Sequence, residues 1–159
     1  MKKDRCDTLA TWTAIKNNWG NVQQFPTRTD MELLIRELVN RTSLETQWIH
    51  GDLGIWNTLY NGELFIIDFG EARMGHPYFD LAAILTSNAP AHCNDDELRH
   101  YINHFVAFYS KVETIDIHLL NDFISLWFIR GVLTAYEQKA FDAALIFFNL
   151  YTKYKRAFA

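Results

Sequence analysis

Cysteine is scarce in this chain: Cys6 and Cys93 are the only two among 159 residues. Two lone thiols point to a reducing compartment more than to a disulfide framework. No apolar run reaches the length of a membrane span, and the opening MKKDRCDT lacks the apolar core of a secretion signal. A cytoplasmic location away from membranes is therefore expected. Basic residues are outnumbered, with 15 Lys and Arg against 19 Asp and Glu and a net charge of −4. No basic face stands out, which argues against nucleic acid as the main partner. The mild acidity is compatible with a cationic substrate but selects none. The seven glycines (Gly20, Gly51, Gly54, Gly62, Gly70, Gly75 and Gly131) stand apart and form no phosphate-cradling cluster. Internal repeats, low-complexity tracts and domain-dividing linkers are also missing.

Apolar side chains, by contrast, are plentiful. Hydrophobic residues make up 49% and aromatics 15%, which excludes a disordered chain. The length suits one domain, 1–159, around one sizeable core. Thr8–Asn18 reads as a short helix, and Thr29 with Glu32 as a capping box ahead of a helix with Met31, Leu34, Ile35, Leu38 and Val39 on its buried face. Phe79–Leu85 reads as the start of a buried helix. Asn94 with Glu97 caps the next one, on which Leu98, Tyr101, Ile102, Phe105 and Tyr109 follow the helical period. Asp116 or a neighbour opens a longer helix through Tyr136. That helix is apolar on most sides (Leu120, Phe123, Ile124, Trp127, Phe128), so it belongs at the centre of a bundle. Phe141–Tyr154 forms the last helix. The expected fold is α+β and mostly α, a helical bundle carrying a small β-hairpin.

The polar residues that chemistry can use gather in one stretch, Trp48–Leu81, WIHGDLGIWNTLYNGELFIIDFGEARMGHPYFDL. His50, Asp52 and Asn57 lie on a short loop after the strand Trp48-Ile49. Asp68 follows the apolar strand Leu64–Ile67. Between them Asn61-Gly62, flanked by apolar runs, is a strong hairpin signal. Folding back at that corner brings Asp52 and Asn57 towards Asp68. Two carboxylates and an amide oxygen are hard ligands of the kind Mg²⁺ prefers, with one carboxylate free to act as a base. Gly70–Pro77 reads as a loop.

HGDLGIWN followed by IDFG and then HPYFDLA resembles the catalytic lobe of the aminoglycoside phosphotransferase and choline kinase group, a branch of the protein-kinase-like fold. The likeness is close over Gln47–Leu85, and the flanking helices fit it in order and type. It implies a hydroxyl-directed small-molecule kinase using ATP and Mg²⁺. By resemblance Asp52 is the catalytic base, Asn57 and Asp68 hold Mg²⁺ against the nucleotide phosphates, His50 braces the loop, and Asp80 hydrogen-bonds the loop backbone. Where the group often has His, this chain has Gly54. The group also carries a nucleotide-covering lobe with a Gly-rich turn and a Lys–Glu pair. Thr13-Ala14-Ile15-Lys16 has no hairpin before it, so Lys16 reads as a solvated helix charge and the sequence corresponds to the C-terminal lobe alone.

Each residue has a plainer reading. Asp52 and Asp68 fit turn or cap positions, Asn57 a side-chain-to-backbone turn bond, and Asp80 a helix N-cap. His50 reads as structural on either account, and Glu71 as facing solvent. His100 and His104, with His92 and Cys93 nearby, lack the zincin Glu, since Tyr101 stands there. The aromatic residues Phe105, Phe108, Trp127, Phe128, Phe147 and Phe148 read as core. Glu137 and Asp142 are candidate contacts for a cationic acceptor. Two functions remain in view: a small-molecule phosphotransferase acting on an aminoglycoside, choline-like or sugar-like hydroxyl, or a catalytically inactive remnant serving as an interaction module. The face towards the absent lobe is expected to expose apolar side chains and to favour a second copy or a partner chain.

Overall fold

The computed structural model describes Leu33, Arg36, residues 46–90 and residues 92–158. The expected helices at Thr8–Asn18 and behind Thr29 and Glu32 lie outside these residues, except that Leu33 and Arg36 are helical. The described chain is mostly helical α+β. Four short strands, β1 (Gln47–Ile49), β2 (Thr58–Tyr60), β3 (Leu64–Ile66) and β4 (Arg73–Gly75), precede four helices. The helices are α1 (Tyr78–Ser87), α2 (Asp95–Tyr109), α3 (Ile117–Glu137) and α4 (Phe141–Phe158).

The strands form two antiparallel pairs. β2 and β3 make the hairpin, with Leu59 opposite Phe65 and Tyr60 opposite Leu64. Its tip is Asn61-Gly62-Glu63, where Gly62 takes φ +100 and the Asn61 N–H bonds the Glu63 carbonyl at 3.2 Å. The second pair corrects the sequence reading. Arg73–Gly75 is not loop but a strand paired with β1, with Trp48 opposite Met74 and Ile49 opposite Arg73. Nothing in Arg-Met-Gly favours a strand; its pairing comes from β1, far away in sequence. The β1–β4 pair clasps both ends of the excursion that carries Asp52, Asn57 and Asp68.

Helix starts follow their caps. Asn94 and Glu97 form a full capping box, the Asn94 side chain accepting from Glu97 N–H at 2.9 Å and Glu97 from Asn94 N–H at 2.8 Å. Asp116 accepts from the N–H groups of His118 and Leu119 and opens α3. The last helix runs one turn beyond Tyr154, to Phe158. There Arg156 meets Asp95 at 2.8 Å; the guanidinium holds the Asp95 carboxyl below the usual carboxylate range.

α3 is the hub. It packs against α4 and against α1, with Trp127 and Arg130 from its middle on Phe79 of α1. Leu120, Phe123, Ile124, Trp127 and Phe128 are buried with Phe79, Leu81, Ala82, Ala83 and Leu85 of α1, Leu98 and Ile102 of α2, and Tyr154 and Ala157 of α4. Ile129, Val132 and Ala135 continue the seam against Ala144 and Phe148. Not every expected core aromatic is inside: Phe108 is exposed under Lys111, whose ammonium lies 5.2 Å from the ring centroid. No helix among the described residues is long and apolar enough to cross a membrane.

Burial and capping predict different costs. Leu85 is fully buried, so Leu85→Ala is expected to lower the unfolding free energy by about 2–5 kcal/mol. Asn94→Ala, which removes one side of an exposed capping box, is expected to cost about 1 kcal/mol. Urea denaturation of the two variants beside the parent measures both.

Candidate active site

The site is built around the backbone that follows β1. Gly51 sits at φ +81, a left-handed conformation in which a side chain would strike the Glu71 carbonyl and the Arg73 guanidinium. Asp80 holds that turn. Its carboxylate accepts the His50 N–H at 2.7 Å and the Gly51 N–H at 2.8 Å. It reaches them because α1 starts at Tyr78, two residues earlier. Pro77 sets that start, and the His76 ring, stacked on Phe123 at 4.8 Å, accepts the Tyr78 N–H at 3.2 Å. Asp80 thus lies within the first turn of α1 and spends its carboxylate on the loop, not on capping its own helix.

His50 is buried, and its ring bridges two segments. Nε2 is 2.8 Å from the Ile67 carbonyl, and Nδ1 is 3.3 Å from the Asp52 N–H. A carbonyl can only accept and a backbone N–H can only donate. The proton therefore sits on Nε2, and Nδ1 accepts. The Ile67 N–H bonds the Asn57 carbonyl at 3.0 Å. Ile67 is thus tied on both sides, and it delivers Asp68 directly after it. Asp68 takes φ 59 and ψ 67, a left-handed conformation that Asp tolerates better than most residues but that still costs on the order of 1 kcal/mol. Its side chain accepts the Gly70 N–H at 3.4 Å.

Asp52 and Asn57 meet directly. The Asn57 amide nitrogen donates to the Asp52 carbonyl at 2.9 Å and to Asp52 Oδ2 at 3.2 Å. The indole N–H of Trp56 donates to the same Oδ2 at 3.2 Å. With its nitrogen committed to Asp52, Asn57 has its carbonyl oxygen as the atom a cation can take. Asp52 Oδ1 lies 3.6 Å from Nη1 of Arg130. Asp52 and Asn57 are therefore in contact, whereas Asp68 follows Ile67, which bonds the Asn57 carbonyl, and makes its own hydrogen bond to Gly70.

Arg130 is the residue that sequence patterns do not single out. Beside Asp52 it pairs with Glu71 at 3.8 Å, and Glu71 pairs with Arg73 at 3.8 Å. Glu71, expected to face solvent, is half exposed and lies between two guanidiniums. The Arg130 guanidinium lies 5.2 Å from the Trp127 ring centroid and 6.0 Å from that of Phe79. One signal was available: Arg130 is the sole Lys or Arg in the apolar stretch Ile117–Glu137.

Asp52, Trp56 and Arg130 open onto a cavity of about 340 Å³ between the loop, α3 and α4. Glu137 and Asp142 are not among its lining residues. His92, His100 and His104 are exposed and Cys93 is buried. Among the described residues no three His, Cys, Asp or Glu side chains gather as a metal-holding group.

A family model described as the phosphotransferase enzyme family, APH, matches residues 7–110, more than half of the 159-residue chain. The chain belongs to this family. The GDP complex of wild-type aminoglycoside 2'-phosphotransferase-IIIa is similar in fold, with TM-score 0.54 and 19% identity over 94% of this chain and 51% of that one. The GDP complex of a mutant of that enzyme gives TM-score 0.55 and 17% identity over 96% and 51%. The chain thus spans about half the length of these structures, and at this identity the likeness is one of fold. No curated protein sequence matches it.

The Asp80 bonds yield a direct test. Asp80→Ala strands two N–H groups and is expected to cost about 3 kcal/mol of stability. It should also speed amide exchange at His50 and Gly51 selectively. Asp80→Asn, which keeps one acceptor oxygen, should lose less.

Proposed function

We propose that residues 1–159 act as a kinase-like lobe that transfers the γ-phosphoryl group of ATP to a hydroxyl of a small molecule, with a nucleotide-covering lobe completing the donor site. The observation that carries this is the buttressed Asp52 carboxylate. Two donors, Asn57 and Trp56, fix Oδ2, which leaves Oδ1, 3.6 Å from Nη1 of Arg130, as the oxygen that would take the proton. As the acceptor oxygen forms its bond to phosphorus and the bond to the ADP oxygen breaks, the hydroxyl proton passes to Asp52 Oδ1. Membership of the phosphotransferase family supports the reaction class, and the GDP complexes of the similar structures support a nucleotide as donor.

Asn57 and Asp68 would hold Mg²⁺. Two oxygen ligands suit this ion, which keeps waters and phosphate oxygens in its shell and does not need an all-protein cage. Bound there, Mg²⁺ supplies neutralisation of phosphate charge. His50 and Asp80 take no part in the chemistry; they hold the loop so that Asp52 and Asn57 keep their places.

The test is phosphate transfer from radiolabelled ATP, with GTP run beside it. Asp52→Ala is expected to lower the rate about 10²–10⁴-fold while keeping Mg²⁺-dependent nucleotide binding. Asp68→Ala is expected to lose that binding. Equal rates for parent and Asp52→Ala would leave the chain without catalysis and favour the interaction-module reading.

A partner is also proposed. The hairpin exposes Leu59, Tyr60 at 78% and Leu64 at 64%, and Trp48 on β1 is 75% exposed. Large exposed apolar patches of this kind mark interaction surfaces. This face is proposed to pair with a second copy or a partner chain. Light scattering of the concentrated chain is expected to show a dimer or larger species; a monodisperse monomer would remove the proposal.

A further inference from the structure

We propose that the acceptor is a neutral, hydroxylated ring compound with an apolar face, sugar-like in character, and that Arg130 excludes polycations from the site. The proposal takes the position of the acceptor site from the phosphotransfer reading above and its chemistry from the cavity.

The cavity's charge carries the inference. Among the described residues its only charged lining groups are Asp52 and Arg130, and these already face each other at 3.6 Å. Arg130 pairs in turn with Glu71, and Glu71 with Arg73, again one of each sign. These four groups sum to zero. Among the described lining residues a polyamine would find no carboxylate but Asp52. It would have to pull Asp52 from Arg130 or sit beside a guanidinium, a like-charge contact that weakens binding about tenfold or more in a partly screened site. The Arg130 guanidinium lies against the rings of Trp127 and Phe79, which favours its staying in place.

The walls suit a ring. The indoles of Trp56 and Trp127 lie within 15° of parallel, with centroids 6.4 Å apart. Phe147 also lines the cavity, so near to α3 that a Cβ at Gly131 would come within 2.7 Å of its ring. Thr134 and Gln138, four apart on one helical face, add uncharged hydrogen-bonding groups. At about 340 Å³ the cavity is at the small end of ligand sites, which suits a compound of one or two rings better than a branched polyamine.

Calorimetric titration of the full chain without nucleotide tests this, with phenyl β-D-glucoside as the neutral probe and kanamycin as the polycation. Phenyl glucoside is expected to bind saturably, and Trp56→Ala, at a half-exposed wall, to weaken it at least about tenfold. Kanamycin is expected to bind the parent weakly and Arg130→Glu about tenfold or more tightly, with Arg130→Gln between them. Circular dichroism of each variant confirms folding. Kanamycin binding the parent more tightly than phenyl glucoside, or neither probe binding it, would overturn the proposal. Because acceptor binding is read without nucleotide, either result leaves the Asp52→Ala transfer comparison to stand or fall on its own.

Discussion

One carboxylate fixes the arrangement on which the site depends. Asp80 accepts two consecutive backbone N–H groups, from His50 and Gly51, and so holds the chain in a turn that it would not keep unaided. A charged acceptor makes these bonds stronger than neutral ones. From that turn the rest follows by contact. His50 is aimed at Ile67, Ile67 is bonded to Asn57, and Asn57 is bonded to Asp52. The helical core enters at the same point, because α1 carries Asp80 and is itself packed on α3.

The electrostatics add a second layer. A guanidinium from the middle of α3 stands between Asp52 and Glu71, so the longest of the described helices contributes a charge to a site otherwise made of loops. Its surroundings are aromatic on one side and acidic on the other. This combination keeps a cation in place at low cost in side-chain freedom, since Trp127 is buried and does not move with it.

Much of the fold can be read from local signals. Asn61-Gly62 marks the hairpin, Asn94 with Glu97 marks the start of α2, and Asp116 marks the start of α3, because each encodes its own turn or cap within a few residues. The features that escape reading depend on distant partners. Arg73–Gly75 has no strand character of its own and is a strand only because β1 lies beside it. Arg130 belongs to the site only because α3 crosses the loop bearing Asp52, far back in the sequence. Phe108 follows the apolar pattern yet stays outside, since helical spacing does not show which flank of a helix finds a neighbour. The motif residues themselves are legible in type and order. Their contacts are not: nothing in the sequence says that Asn57 spends its nitrogen on Asp52 or that Asp68 turns left-handed.

The β1–β4 pair has a thermodynamic consequence for whatever the site receives. Drawing the two ends of a long excursion together costs chain entropy, and here main-chain pairing between Gln47–Ile49 and Arg73–Gly75 meets that cost within the folded state. An incoming ligand need not recruit the segment from a looser ensemble. Its free energy of association is spent on contacts rather than on ordering polypeptide.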